Sequence, residues 1–139
     1  MAKQKSLPKL KEELDKVFSQ FIRLRLADEN WNAKCVTCGT VKYWKELQCG
    51  HFMSRRHQST RWNEENTACQ CMACNIFNQG EQYKFSLYID KTYGEGKSNE
   101  LMLLSKQTLK LDRYDLEQMI QAYKEEVLIH LDRIGELKN

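Results

Sequence analysis

Apolar positions recur at helical spacing at both ends of the chain and lose that rhythm in between. From Pro8 to Ala27, the residues Leu10, Leu14, Val17, Phe18, Phe21 and Leu24 follow one another at intervals of about three or four, which puts them on one face of a helix. Ser6 is suited to cap that helix, with Pro8 in its first turn. Lys9, Lys16 and Arg23 fall on the opposite face. The last stripe is the clearest: Leu116, Ile120, Tyr123, Val127, Leu131 and Ile134 run to near the C-terminus, behind Asp112 as N-cap. His130 lies on the inner edge of that helix and reads as structural. A shorter helix is expected from near Ser98, carrying Leu101, Leu103 and Leu104. Another is expected from Asn75 to Tyr93, weakened or kinked at Gly80 and stopped at Gly94.

Residues 31–75 are patterned differently. TVKYW and LQCGHF read as two short strands joined by a turn near Lys45 and Glu46. The expected fold is α+β and mostly helical: an N-terminal amphipathic helix over residues 1–30, a small cysteine-built module over 31–94, and a helical region over 95–139. With 139 residues, one proline and no Ser/Gly/Pro-rich linker, these parts should form one compact domain.

Composition adds a compartment and an ion. The N-terminal MAKQKSLPKLKEEL lacks the apolar segment of a secretory leader, and no apolar run approaches the roughly 18–20 residues of a membrane span. The expected location is the cytoplasm, where six cysteines argue for metal ligation over disulfides. Cys35 and Cys38 form one CxxC pair, Cys71 and Cys74 a second. Two such turns close a tetrahedral thiolate site suited to structural zinc. Cys49 and Cys69 are left over. Both are expected to be buried as small apolar residues, with Cys69 as an alternative zinc ligand.

A four-thiolate zinc has no open position, so chemistry must come from elsewhere. His51 ends the second strand of LQCGHF, and Asn75 directly follows the last cysteine at a helix start. If the ion clamps both ends of the module, His51 and Asn75 face each other across a small cleft. No acidic residue lies between Glu46 and Glu64, whereas Arg55, Arg56, His57 and Arg61 do. Forked guanidiniums in such a patch suit phosphate, so these four residues are candidate DNA contacts. Trp62 could stack on a splayed base or pack in the core. The net charge of +3 fits an anionic partner without demanding one.

Three segments together carry a resemblance: Cys49-Gly-His-Phe52, Arg61-Trp-Asn-Glu-Glu-Asn66 and Gln70-Cys-Met-Ala-Cys-Asn75. In this order they resemble the NinG/Rap family of phage recombination nucleases. More broadly they resemble the zinc-clamped HNH, or His-Me finger, nucleases that include phage endonuclease VII. The resemblance implies a zinc-bound, treble-clef-like ββα module between long terminal helices. It implies His51 as general base, Asn75 as ligand of a catalytic Mg²⁺ or Mn²⁺, and Asn66 as the residue that orients the active-site loop. One departure stands out. HNH enzymes commonly place an Asp directly before the histidine, and here it is Gly50. Gln48, Glu64 and Glu65 are the candidates for a second metal ligand.

The implied function is structure-selective cleavage of branched DNA, such as Holliday junctions and D-loops, in the cytoplasm of a bacterial host. The residues suit it. A neutral histidine can take a proton from water, and oxygen ligands suit Mg²⁺. Junction symmetry makes a homodimer reasonable, and a recombinase is a possible partner. Two other readings stay open: a non-catalytic zinc-dependent DNA-binding accessory protein, and an RNA- or protein-binding zinc scaffold.

Overall fold

The structure, a computed structural model, describes residues 4–138. Helix α1 spans Leu7–Leu24, with the Ser6 hydroxyl accepting from the Lys9 amide at 3.3 Å and Pro8 in the first turn. It stops three residues short of the expected Ala27. Helix α5, Arg113–Lys138, opens on a reciprocal cap: the Asp115 amide donates to the Asp112 carboxylate and the Asp112 amide to the Asp115 carboxylate, at 2.8 and 3.0 Å. The two apolar stripes meet. Leu10, Leu14, Val17, Phe18 and Phe21 are buried with Leu116, Ile120 and Val127, and the Tyr123 ring stands edge-on to Phe18 at 5.0 Å. Each such side chain removed from water contributes about 1.5–3 kcal/mol. This helix pair is the base on which the middle of the chain is mounted.

Four short strands follow α1: β1 (Asn32–Lys34), β2 (Val41–Tyr43), β3 (Gln48–His51) and β4 (Thr67–Gln70). The expected hairpin does not form. TVKYW and LQCGHF do hold strands β2 and β3, but these do not pair with each other. β2 pairs with β1 and β3 pairs with β4, both antiparallel. A single 3₁₀ turn, Trp44–Glu46, separates the two sheets. Three-residue strands carry too little alternation to specify a partner.

The β3–β4 sheet is covered on both sides. Cys49 pairs with Cys69 and His51 with Thr67, so these four side chains share a face by strand alternation. That face packs on α1, where the Cys69 thiol reaches the Ile22 carbonyl at 3.6 Å. On the other side Phe52 and Ala68 join a second buried cluster with Phe85, Ile89 and Leu101. These last three come from α3 (Gln82–Tyr93) and α4 (Lys97–Ser105). A four-residue helix, α2 (Gln58–Arg61), lies in the connection from β3 to β4 and packs on α4.

The helix expected from Asn75 to Tyr93 is two pieces. A π-type turn covers Ala73–Phe77, and α3 starts only at Gln82. Gln79, Gly80 and Glu81 between them all have positive φ, 54°, 86° and 50°. Three left-handed residues in succession end any right-handed helix. No helix among the described residues is long and apolar enough to cross a membrane.

Candidate functional site

The cysteine cluster is built by the two CxxC turns. The ligating sulfurs of Cys35, Cys38, Cys71 and Cys74 all lie within 4.8 Å of one another, and Cys38 and Cys71 are 3.7 Å apart. Sulfurs on a tetrahedron around zinc are separated by about 3.8 Å, so the four thiols fit one ion. Cys35 and Cys74 are shifted in opposite directions. Burial raises the Cys35 thiol, but bonds from Thr37 and from the amides of Cys71, Cys38 and Thr37 outweigh it and bring it down to about 6. Burial and the neighbouring thiols push Cys74 up to about 12. Four sulfurs this close cannot all ionise without a cation among them.

Cys49 and Cys69 stand outside the cluster. Burial pushes their thiols up to about 12 and about 11, which suits apolar packing and makes them poor nucleophiles.

Beside the cluster opens a cleft of about 900 Å³, lined among others by Asp15, Arg23, Gln48, His51, Arg55 and Asn75. His51 and Asn75 do line one cavity. The His51 Nε2 lies 2.9 Å from the Arg61 carbonyl. A carbonyl only accepts, so Nε2 carries the proton and the lone pair of the neutral ring is on Nδ1. Burial lowers the basicity of the ring, opposed by the Arg61 bond, and so favours the neutral form.

Asn75 sits in the π-type turn directly after Cys74. Its Nδ2 donates to Gln48 Oε1 at 2.7 Å, which leaves Oδ1 without a protein donor among the described residues. Of the three candidates for a second metal ligand, Gln48 alone is beside Asn75. Glu64 accepts from the Tyr123 hydroxyl at 2.9 Å, and Glu65 lies 3.5 Å from Lys97. A neutral amide oxygen is an acceptable donor for a hard divalent ion, but no uncommitted carboxylate stands next to it.

Gly50 has a steric reason. A Cβ there would lie 2.0 Å from Gln70 Oε1. Gln70 is fully buried, and its Nε2 donates to the Thr37 hydroxyl at 3.1 Å and the Gly80 carbonyl at 2.8 Å. That side chain ties the first CxxC turn to the loop before α3, and it crosses the place where an aspartate would stand.

Asn66 is also fully buried. Its Nδ2 donates to the carbonyls of Met53 and Thr60, and its Oδ1 accepts from the Met53 amide at 2.8 Å. Every polar atom of the amide is used to hold the loop that follows His51, and none reaches the cleft.

The arginines divide. Arg55 and Arg56 are exposed and His57 is half-buried. Arg55 and His57 line the cleft, and Arg56 donates to His57 at 3.4 Å. Arg61, expected as a phosphate contact, is instead turned inward. Its Nε and Nη2 meet the Asp15 carboxylate at 3.0 and 2.5 Å. Trp62 is buried against the helices, so it packs in the core and is not free to stack on a base. Two cleft residues were not foreseen. Arg23 brings a cation whose Nη1 donates to the Trp44 carbonyl at 3.4 Å. Asp15 flanks the apolar stripe of α1, and an acid on that flank was the one available signal. His130 is a structural side chain, accepting from Arg133 Nε at 3.2 Å with its ring 5.7 Å from Phe21.

No curated protein and no solved structure matches this chain. The family model described as Bacteriophage Lambda NinG protein matches residues 1–133. With a cysteine cluster fit for zinc and a match over nearly its whole length, the chain belongs to the NinG family.

Proposed function

We propose that this protein is a metal-dependent DNA endonuclease of the HNH, or His-Me finger, kind that cuts branched recombination intermediates. The observation that carries the reading is the histidine. His51 is held by Nε2 to a backbone carbonyl, which puts the ring's lone pair on Nδ1, and it lines the same cleft as Asn75.

In this reading His51 Nδ1 takes the proton from the attacking water, and the Arg61 carbonyl steadies the imidazolium that forms. Asn75 Oδ1 would hold a Mg²⁺ or Mn²⁺, with Gln48 fixing which end of the amide faces the cleft. When bound, the ion supplies charge neutralisation at the phosphate and at the leaving oxygen. With one neutral protein ligand, most of its coordination comes from water and substrate phosphate. Arg23 and Arg55 add fixed positive charge along the cleft. Zinc on the four cysteines keeps Asn75, next to Cys74, in register with the strand that bears His51. The choice of branched DNA rests on the NinG resemblance.

The test is cleavage of synthetic four-way, three-way, D-loop and linear duplex DNA with Mg²⁺, Mn²⁺ or neither. Divalent-dependent cutting of branched DNA, reduced about 10²–10⁴-fold in His51→Ala, is the expected result. The absence of a carboxylate next to Asn75 favours a second reading, a zinc-built DNA-binding accessory protein. Salt-sensitive binding with no cutting in either ion selects that reading and rejects the first.

A further inference from the structure

We propose that Asp15, on the N-terminal helix, is a positioning residue for His51: it clamps the peptide unit between Arg61 and Trp62, whose carbonyl orients the imidazole. The inference rests on the nuclease reading and adds α1 to the site.

The carbonyl that accepts from His51 Nε2 belongs to the last residue of α2. A four-residue helix has too few internal bonds to hold its own end, and its last carbonyls have no partner within the helix. Something else must fix the plane of that peptide if it is to fix the ring. Asp15 does so from both sides. Its carboxylate accepts from Arg61 Nε and Nη2 at 3.0 and 2.5 Å, and from Trp62 Nε1 at 3.0 Å. Arg61 and Trp62 are the two residues that flank the peptide in question. The Arg61 guanidinium also lies over the Trp62 ring, 4.8 Å from its centroid, which makes the pair one block.

The arrangement is stiff. The Trp62 side chain is anchored in the main core with Leu14 and Phe18, and the Asp15 side chain is 20% exposed. A bidentate guanidinium–carboxylate pair of that burial holds its geometry better than a surface pair. The charge acts in the same direction, since the Asp15 carboxylate favours protonation of His51 against the effect of burial. Both oxygens of Asp15 accept from the protein, so it is not a free ligand for a cation, although it lines the cleft. Arg61 in turn has its Nε and Nη2 committed to Asp15. The exposed cation at this rim is Arg55, whose Nη1 stands 3.8 Å from Asp15.

The experiment compares Asp15→Asn, Arg61→Ala and the double variant with wild type on junction DNA. Asparagine keeps the size of the side chain and an acceptor for Trp62, so the fold is retained. Circular dichroism and zinc content check this. The expected result is a fall in kcat of about 10- to 100-fold, with the Kd for DNA and its salt dependence unchanged. The double variant is expected to be no worse than the weaker single. In parallel, nitrogen-15 NMR of the histidine rings reads the His51 tautomer: Nε2–H in wild type, a mixture in Asp15→Asn. A wild-type kcat in Asp15→Asn overturns the proposal. So does an Arg61→Ala defect that appears as weaker DNA binding with a shallower salt slope, which would make Arg61 a phosphate contact. If wild type cuts no DNA, the nuclease reading has failed, and the NMR decides alone. An unchanged tautomer then overturns the clamp, and a mixed one sustains it.

Discussion

Replacing Gly50 by alanine is expected to cost as much stability as truncating a large core side chain, although it adds a single methyl group. The added Cβ would sit 2.0, 2.7 and 2.9 Å from Oε1, Cδ and Cγ of Gln70. Gln70 has no exposed surface, and it cannot swing aside while its Nε2 bonds Thr37 and Gly80. If it moves, both bonds break and leave buried groups unpaired, at about 1–3 kcal/mol each. If it stays, β3 must lift from β4 at the Gly50–Ala68 pair. The loss is therefore about 2–6 kcal/mol, set against the 5–15 kcal/mol typical of a whole domain. With a urea slope of about 1–3 kcal/mol per molar, the midpoint should fall by on the order of 1–3 M. Urea titration followed by circular dichroism at fixed zinc measures this directly. Gly50→Asp, which would place a larger, charged side chain there, should be at least as damaging. The control is Gln70→Ala, which pays its own penalty but empties the space. The double variant Gly50→Ala/Gln70→Ala should be about as stable as Gln70→Ala alone. A Gly50→Ala protein within about 1 kcal/mol of wild type, or fully additive effects, would refute the steric argument.

Two further outcomes test the cysteines and the histidines. One zinc per chain is expected by elemental analysis, and cobalt substitution should give the absorption of a tetrahedral thiolate site. Stripping the metal, or Cys71→Ser, should abolish cooperative unfolding, because the ion's binding energy is folding energy; an unchanged melting curve after chelation would contradict this. Burial is the largest cause lowering both His51 and His130 from the usual 6.5. The unfolded chain therefore takes up these protons first. Stability from this source is complete above pH 6.5 and declines as pH falls from 6.5 through the folded-state values, by at most about 1.4 kcal/mol per pH unit for each histidine. His130→Gln should flatten part of that slope in urea titrations between pH 5 and 7, a window above the range in which carboxylates titrate. An unchanged slope would mean that the His130 environment does not distinguish its two charge states.

Particular residues show what was legible beforehand. The helices α1 and α5 could be read because a stripe such as Leu116, Ile120, Val127 and Ile134 has one physical explanation, a buried face. Ser6 and Asp112 marked their starts by hydrogen-bonding chemistry that acts over three residues. The cysteine cluster was readable for the same reason: two sulfurs in a CxxC turn need no distant partner to point the same way. Strand pairing was not readable. The register of β3 against β4 depends on TACQ, which is buried throughout and so shows no alternation. The break at Gln79–Glu81 was hidden because two of its left-handed residues are not glycine. Arg61 resembled a free cation because its partner, Asp15, lies 46 residues earlier. A charge pair across that distance leaves no local trace.

The cysteine cluster has a consequence for the unfolded chain. An ion held by Cys38 and Cys71, 33 positions apart, is a cross-link. The loop it closes contains Gln48, His51, Arg61 and Asn66. By the reasoning used for disulfides, closing a loop of that length removes entropy from the denatured ensemble worth about 4 kcal/mol. A disulfide at this place would yield to reductants. A thiolate–metal cross-link yields instead to competition from chelators. With an ion on the four cysteines, the segment that carries His51 is thus tied at both ends by a link that does not depend on its weak two-stranded sheet.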